Sequence, residues 1–353
     1  MIIQKQWNNL EKHAKKCIEQ EIVPGMSIAL LTRHEKRVLH LGYRQLVPTQ
    51  IENDEQTIWD LASLTKVVAT TTCILKCIEQ GKFNLKTKVC EIIPAFVNSE
   101  ISIFHCLTHT SGLPSDIPNY KVMTKNRMLK FIHSAQPICT PGTEVIYSDI
   151  NFILLGQVID VCTGSFKNFA KRELFDPLAM KSTCFNPKAD SIDTFASYEN
   201  NIERGGVIRG VVHDGKAFKL GGISGHAGLF STINDLSNFV TMLLNDGIYN
   251  DTRILSPSSI DLLKKCRTVN LNEKRTLGWV ISDQNYDMGD YYSDCALFHT
   301  GFSGGSIYVD FDRSLGLLCM TNRIHPSREN TKIFQERNNI HNLAIQCVLE
   351  NEF

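Results

Sequence analysis

Ser63 and Lys66 are the two residues whose types and spacing most directly indicate chemistry. They begin and end the run Ser63-Leu64-Thr65-Lys66, which follows residues 58–62 at the point where an apolar helical period starts. On a helix, residues i and i+3 share a face, so the lysine amine would lie within reach of the serine hydroxyl. A helix N-terminus also offers free backbone N–H groups and a partial positive charge to a forming anion. The pattern therefore predicts a serine nucleophile with a neighbouring proton carrier.

Two further motifs follow along the chain. The tripeptide Y-S-D occupies residues 147–149, just before a predicted helix, and H-T-G occupies residues 299–301, at the end of a predicted strand. Ser63 is the only serine of the chain with a lysine three positions later. With the three motifs in this order, the chain resembles the serine penicillin-binding proteins and class C β-lactamases, whose motifs are S-x-x-K, Y-x-N and K/H-T-G.

Three supporting stretches at residues 107–113, 176–180 and 221–231 also look like hallmarks of that family. The third stretch, with Val212-His213-Asp214 ahead of it, is similar to a subgroup of penicillin-binding protein 4B-like carboxypeptidases. The resemblance covers nearly the whole chain.

The resemblance implies a role for each matching residue. Ser63 would attack a carbonyl carbon, and Lys66 and Tyr147 would carry its proton. The backbone N–H groups of Ser63 and Phe302 would form the oxyanion hole. Because the unperturbed pKa is about 10 for tyrosine and about 10.4 for lysine, either serves as a base only where burial or a neighbouring charge shifts it. Which of the two is the principal base stays open.

The residues expected to bind substrate are Asp149, His299, Thr300, Gly301 and Phe302. His299 stands where many members of the family have lysine; it can donate a hydrogen bond to a carboxylate, and we expect its charge to vary near neutral pH. Asp149 replaces the usual asparagine, and an ionised carboxylate only accepts hydrogen bonds. One hypothesis is that Asp149 disfavours amides and β-lactams, so that small activated esters are preferred. The other is that Asp149 pairs with Lys66.

The sequence therefore predicts a serine hydrolase that works through an acyl-enzyme on an ester, a D-alanyl peptide or a β-lactam. No metal or organic cofactor is implied. The alternative from a different class is a catalytically slow protein that captures a penicillin or a muropeptide without turnover.

Three other patterns have competing interpretations. Ser303 lies in a G-x-S-x-G match at residues 301–305, typical of α/β-hydrolases, but residues 306–311 read as a strand rather than the helix that must follow. His105 and His109 have the spacing of metal ligands on a helix, without the glutamate of an H-E-x-x-H site. The glycine-rich run 221–228 lacks the ending of a phosphate-binding loop.

Composition excludes several partners. The 353 residues contain 37 basic and 37 acidic side chains, so no net positive charge is available to hold nucleic acid. No stretch is long and apolar enough for a membrane span.

The twelve cysteines contain no C-x-x-C pair, and the first residues lack the apolar core of a signal peptide, so we expect reduced thiols in a bacterial cytoplasm. The oligomeric state is not indicated.

The elements that must position these residues follow from periodicity. Helices are predicted over 5–21, 65–80, 150–163, 235–244 and 331–349, and strands over 26–32, 37–43, 296–300, 306–311 and 316–321. Strands at both ends of the chain most simply complete one sheet. We expect an α/β (α+β) fold of the β-lactamase and transpeptidase type. An antiparallel five-stranded sheet with terminal helices would comprise residues 1–62 and 246–353, and a mostly helical lobe residues 63–245.

Overall fold

A computed structural model describes residues 1–348, apart from the side chains of residues 189–191. The last residue of the predicted closing helix, Leu349, lies outside this part of the chain. The strands are β1 (Gly25–Thr32), β2 (Lys36–Gln45), β3 (Ile51–Glu52), β4 (Trp59–Asp60), β5 (Cys184–Phe185), β6 (Ser197–Asn201), β7 (Gly206–Arg209), β8 (Leu229–Ser231), β9 (Ile248–Tyr249), β10 (Thr252–Arg253), β11 (Val280–Ile281), β12 (Leu297–Thr300), β13 (Ser306–Asp310) and β14 (Leu315–Thr321).

The α-helices range from a single turn to about four turns. They are α1 (Gln4–Glu19), α2 (Thr72–Glu79), α3 (Val89–Ile92), α4 (Ile103–Leu107), α5 (Lys125–Ser134), α6 (Asp149–Thr163), α7 (Phe166–Ala170), α8 (Gly215–Lys219), α9 (Ile233–Leu244), α10 (Pro257–Leu263) and α11 (Ile333–Ile345).

The main sheet is antiparallel and has seven strands in the order β11-β12-β13-β14-β1-β2-β3. The predicted antiparallel sheet is confirmed, but the predicted number of five strands is wrong. The additional strands, β3 and β11, each contain two residues and lie at the two edges. Two residues are too few to show the apolar alternation from which a strand is predicted.

Pairing between β1 and β14 joins the two ends of the chain. Ile28 lies opposite Cys319 and Leu30 lies opposite Leu317 in the antiparallel register. Both strands are almost fully buried, because helices cover both faces of the sheet. Their apolar runs are therefore continuous rather than alternating.

Alternate residues of β1 face two different layers. Ile28 and Leu30 belong to the core that includes Trp7 and Leu10 of α1 and Ile340 of α11. Strand residues alternate between faces, so the neighbours of Ile28 and Leu30 point the other way. Ala29 and Leu31 belong to the second core, which extends through α9 into the helical part of the chain.

A small sheet connects the two parts of the chain. β4 lies next to β8, and β8 lies next to β5, so Trp59 pairs with Ser231 and Asp60 with Phe230. This sheet fixes the chain just ahead of Ser63. It also crosses the boundary between residues 62 and 63, and the division into two lobes stays a prediction. Within residues 1–348, no helix combines the length and the apolar character that crossing a bilayer requires.

Candidate active site

Ser63 lies in a sharp turn between β4 and the helix that carries Lys66. The turn is a 3₁₀ segment, Ala62–Leu64, followed by a π-helical segment, Lys66–Thr71, and then by α2. Ala62 has a φ of +46°, in the left-handed region that residues with a Cβ rarely adopt. Its N–H donates to Asp60 Oδ1 at 2.8 Å, which holds the turn. Such strained and π-helical backbone is concentrated at functional sites.

Lys66 is fully buried, and its ammonium uses all three donors. Nζ lies 3.0 Å from Ser63 Oγ, 2.8 Å from Asp149 Oδ1 and 3.2 Å from the carbonyl oxygen of His226. Burial opposes a charge on Lys66, but the Asp149 carboxylate outweighs this effect and raises the pKa of Lys66 above its ordinary value. The predicted contact between the lysine and the serine is present, and the lysine is charged.

Asp149 begins α6, and its carboxylate contacts two lysines. Oδ1 accepts from Lys66, and Oδ2 lies 2.9 Å from Lys216 Nζ. Burial alone would raise the pKa of Asp149, but Lys66, His226 and Lys216 together hold it far below its usual range. Asp149 is thus an ionised partner of two buried ammonium groups. This geometry supports the second hypothesis for Asp149, the pairing with Lys66.

Tyr147 lies beside the Lys66 ammonium, which is 4.9 Å from the centroid of its ring. A second cation, Arg275, places its Cζ 5.4 Å from the same centroid. The ring also contacts His109, with the two centroids 4.5 Å apart. His109 is fully buried, and burial holds its pKa well below the ordinary value, so it adds no charge. Tyr147 is therefore flanked by two cations and a neutral imidazole.

The H-T-G motif ends β12 directly beside the turn of Ser63. A Cβ on Gly301 would lie 2.6 Å from the carbonyl oxygen of Leu61, so only glycine allows this approach. Ser303 Oγ donates to the carbonyl oxygen of Asp60 at 2.9 Å and fixes the same contact from the other side. Among the described residues, neither the Ser63 N–H nor the Phe302 N–H has a hydrogen-bond acceptor. Both groups are free to bind a negatively charged oxygen.

His299 is neutral rather than variably charged. Its side chain is buried, with Nδ1 2.9 Å from the carbonyl oxygen of Thr300. Burial, reinforced by the positive charges of Lys66 and Arg275, lowers the pKa of His299 to about 3. The expectation of a charge that varies near neutral pH does not match this environment. A histidine has a normal pKa only where water or an acid stabilises its charged form, and sequence alone does not report burial.

A cleft of about 650 Å³ opens at Ser63. Of the predicted site residues, Ser63, Tyr147, Asp149 and Phe302 line it. His299, Thr300 and Gly301 are not among the described residues that line this cleft. The ring of Phe302 stacks on the ring of His213, with the two centroids 5.7 Å apart. From the sequence, His213 was identified only as part of a supporting motif.

The sequence predicted no role for three charged side chains at the site. Lys216 bridges Asp149 and Asp116, and Asp214 accepts at 2.8 Å from the ring of His226. The motif at residues 212–214 and the glycine-rich run 221–231 resemble motifs of the family named from the sequence. Their spacing does not indicate which side chains contact Asp149, because those contacts form only when distant parts of the chain fold together. His226, whose carbonyl oxygen accepts from Lys66, comes from that run.

The rival nucleophile Ser303 is buried, and β13 rather than a helix follows it. Its hydroxyl is already used in the hydrogen bond to Asp60. The structure therefore contradicts the α/β-hydrolase interpretation of residues 301–305.

Within the part of the chain that the structure describes, two groups of side chains have the spacing of metal ligands. Ligand atoms of His13, Cys17 and Glu336, and separately of Asp149, Asp214 and His226, lie within 4.8 Å of one another. In the second group, two ammonium groups occupy the Asp149 carboxylate and repel a metal cation. In the first group, Glu336 is paired with His13 at 3.1 Å.

Comparison with known proteins identifies the family of the chain. The sequence profile of the family described as Beta-lactamase matches residues 10–340. An N-acetylmuramyl-L-alanine amidase of Bacillus subtilis (strain 168) is 30% identical over 319 residues, which are 79% of this chain and 72% of the relative. A putative D-alanyl-D-alanine carboxypeptidase of Escherichia coli (strain K12) is 30% identical over 306 residues, which are 76% and 70% of the two chains.

Solved structures show the same fold at lower sequence identity. EstCE1, a hydrolase with promiscuous acyltransferase activity, has a TM-score of 0.77 at 19% identity, covering 96% of this chain and 99% of its own. An octameric penicillin-binding protein homologue from Pyrococcus abyssi has a TM-score of 0.72 at 21% identity, covering 95% and 78% of the two chains. The predicted fold class and family resemblance are confirmed, whereas the narrower class C assignment stays a prediction. The chain belongs to the beta-lactamase family and is a serine hydrolase.

Proposed function

We propose that Ser63 is the nucleophile of this hydrolase and that it forms an acyl-enzyme with a carbonyl substrate bound in the 650 Å³ cleft. The observation that carries the proposal is the 3.0 Å contact between Lys66 Nζ and Ser63 Oγ. The nucleophile lies at the cleft, whereas the ammonium is buried behind it and anchored by Asp149. A solvated surface lysine would have no such anchor.

The charge on Lys66 decides how the proton moves. Because Asp149 keeps Lys66 protonated, Lys66 cannot be the group that first takes the Ser63 proton. Tyr147 is the other candidate beside it, with its ring centroid 4.9 Å from Lys66 Nζ and 5.4 Å from Arg275 Cζ. In the proposed reacting form, the Tyr147 phenolate accepts the proton as Ser63 Oγ bonds to the carbonyl carbon.

The remaining steps follow by symmetry of proton transfer. The carbonyl oxygen becomes an oxyanion between the N–H groups of Ser63 and Phe302, which are free to donate. The bond to the leaving group then breaks, and Tyr147 returns its proton to the departing nitrogen or oxygen. Water attacks the ester on Ser63 and Tyr147 accepts the proton of that water. The bond to Ser63 Oγ then breaks, and Tyr147 gives this proton to Ser63 Oγ, which restores the starting state. The products are a carboxylic acid and an amine or alcohol.

The cleft favours a polar acyl donor of the peptide type. Charged side chains of both signs line it, including Glu203, Arg204, Asp214 and Lys216. Such a lining suits a substrate with amide and charged groups better than a long apolar acyl chain. Two relatives carry the names amidase and putative carboxypeptidase, which supports the same class. Since both Asp149 oxygens are held by lysines, the carboxylate gives no reason to reject an amide.

Steady-state hydrolysis tests the proposal. A D-alanyl-D-alanine peptide, an activated phenyl ester and a chromogenic cephalosporin should be assayed with the wild type and with Ser63→Ala. We expect release of D-alanine and of the phenol by the wild type, and no release by the variant. Ser99→Ala, which alters an exposed serine outside the cleft, is the matched control. Equal turnover by wild type and Ser63→Ala would remove Ser63 from the mechanism.

A burst of covalent labelling without steady turnover would instead favour the alternative function, a catalytically slow protein that captures a penicillin or a muropeptide.

We retain the cytoplasm as the proposed location, because all twelve cysteines are free thiols, which persist in reducing compartments.

A further inference from the structure

Lys216 is a second buried lysine at the site, and it comes from a different element than Lys66. It lies on the short helix α8, and its ammonium is 2.9 Å from Asp149 Oδ2 and 2.7 Å from Asp116 Oδ1. Only 10% of the side chain is exposed, although the residue lines the cleft. A buried ammonium is costly unless it is paired, and this one is paired twice.

The contacts indicate what Lys216 does. Both of its partners are carboxylates of this chain, so its charge is already used and is not free to bind an anionic substrate. Its contact with Asp149 is made on the oxygen that Lys66 does not use. An Asp149 carboxylate held at one oxygen alone could rotate about its side-chain bonds. Held at both oxygens, it has one orientation, and that orientation sets where Lys66 Nζ lies.

A second connection runs from the same helix to Lys66. Asp214 is the N-cap of α8, where its side chain accepts from Ala217 N at 2.7 Å. The same carboxylate accepts from His226 Nε2 at 2.8 Å, and the carbonyl oxygen of His226 accepts from Lys66. The N-terminus of α8 therefore contacts two of the three residues that accept from the Lys66 ammonium, Asp149 and His226.

We propose that Lys216 is a positioning residue for acyl transfer: clamped between Asp116 and Asp149, it fixes the Asp149 carboxylate that holds the Lys66 ammonium against Ser63. The inference rests on the proposed function of Ser63. The positive charge that orients the Asp149 carboxylate therefore comes from α8.

The test compares the rate at which a fluorophosphonate labels Ser63 with kcat and KM for one ester, in wild type, Lys216→Met and Lys216→Arg. We expect Lys216→Met to lower the labelling rate and kcat about 10- to 100-fold, with KM changed less than about threefold, since a misplaced reacting group costs up to about 10² in rate. Lys216→Arg should have a labelling rate and a kcat close to those of the wild type. The matched control is Lys264→Met, because Lys264 also bridges two carboxylates, Asp246 and Asp261, but lies outside the cleft.

A second variant covers the case in which Lys216→Met does not fold. Asp116→Asn releases Lys216 from one carboxylate, and the Asp116 side chain is 58% exposed, so the fold should tolerate the change. We expect a loss of at least about threefold in the labelling rate, with unchanged thermal unfolding.

The outcomes separate the two proposals. A wild type that labels at Ser63, together with unchanged rates in Lys216→Met and Asp116→Asn, overturns the role of Lys216 alone. A rise in KM with an unchanged kcat also overturns it, because that result makes Lys216 a substrate-binding residue. A wild type that forms no Ser63 adduct overturns the proposed function and this inference with it.

Discussion

At the scale of single residues, the central feature of the site is the Asp149 carboxylate, which lies between two buried lysines. The ammonium groups of Lys66 and Lys216 lie on its two oxygens, and Ser63 Oγ lies on the far side of Lys66. Lys216 is also paired with Asp116, so the positive charge that contacts Ser63 is the Lys66 ammonium. That charge stabilises the negative oxygen atoms that develop during acyl transfer.

Loss of Lys66 or Tyr147 should slow acylation without unfolding the protein. We expect Tyr147→Phe, which removes the proposed proton acceptor, and Lys66→Ala, which removes the ammonium that contacts Ser63, each to lower the acylation rate by roughly 10² to 10⁴, as for a positioned proton-transfer group. The two losses should not multiply in the double variant, because the residues act as one unit. Stopped-flow acylation with an activated ester measures the rates of both single variants and of the double variant. Nearly wild-type rates in both single variants would contradict the proton path.

Asp149→Asn distinguishes the two hypotheses for this position. If the carboxylate serves only to hold the lysines, its loss should lower kcat/KM for an ester and for an amide by the same factor. If the carboxylate repels amide carbonyls, the variant should have a higher kcat/KM for the amide relative to that for the ester. We expect an unchanged ester-to-amide ratio, because both oxygens contact lysines. A ratio that shifts toward the amide by tenfold or more would restore the selectivity hypothesis.

The same variant should change the pH dependence of the reaction. Asp149 raises the pKa of Lys66, and burial lowers it. In Asp149→Asn the largest cause that raises this pKa is removed, so Lys66 should lose its proton at lower pH than in the wild type. Activity that needs charged Lys66 falls as pH rises through this pKa. We therefore expect the alkaline limb of kcat/KM to move to lower pH in the variant; a limb that stays in place or moves upward contradicts a charged Lys66.

The sequence predicted that the candidate residues lie together but not their electrostatics. The proximity of Ser63, Lys66 and Tyr147 was predictable because each lies in a motif with a fixed spacing. Lys216 was not, since its position two residues after Asp214 says nothing about the fold that brings it to Asp149. The neutral state of His299 was also beyond prediction, because it depends on the burial of its side chain and on the nearby positive charges of Lys66 and Arg275.

At the scale of elements, two backbone segments are fitted to each other. The end of β12 lies against the turn that precedes Lys66, and Gly301 makes this possible by having no side chain. The five longer strands of the main sheet were predictable from apolar runs, as were the helices α1, α6 and α9. The π-helical segment Lys66–Thr71 was not, because its residues fit an ordinary helical period equally well.

Gly301→Ala tests this fit. Its Cβ would lie 2.6 Å from the carbonyl oxygen of Leu61, so the strand end must move away from the turn and carry the Phe302 N–H with it. We expect a loss of about 10² in the acylation rate, the cost of one displaced oxyanion-hole donor.

Gly316→Ala is the control for Gly301→Ala, because its Cβ would overlap Val240 Cγ1 at 2.3 Å in the core between the sheet and α9. It should lower the melting temperature yet leave the acylation rate of the folded protein unchanged. Equal rates in the two variants would mean that the contact at Gly301 is not specific to the site.

At the scale of the whole molecule, the fold holds itself together without cross-links. Residues from both ends of the chain pair in the sheet through β1 and β14, and α1 and α11 cover the same face. The cysteines are distributed through this structure, six of them buried and six half-buried. Size and a large apolar core replace the disulfides that small secreted domains need.

Thiol titration of the whole chain tests this description. Protein denatured without reductant should react at all twelve cysteines, and the folded protein should react quickly at no more than the six half-buried ones. Burial raises the pKa of Cys319 to about 12, which slows its reaction further. Fewer than twelve reactive thiols in the denatured protein would reveal a disulfide and contradict the description.

The identity of the nucleophile is the central claim, and trapping the acyl-enzyme tests it most directly. The wild type should be mixed with an activated ester, quenched in acid within one turnover, and analysed by intact mass and peptide mapping. We expect a mass increase equal to the acyl group, located on Ser63, and none in Ser63→Ala. An acyl group on Ser303 or any other residue, or one that persists in Ser63→Ala, would contradict the account.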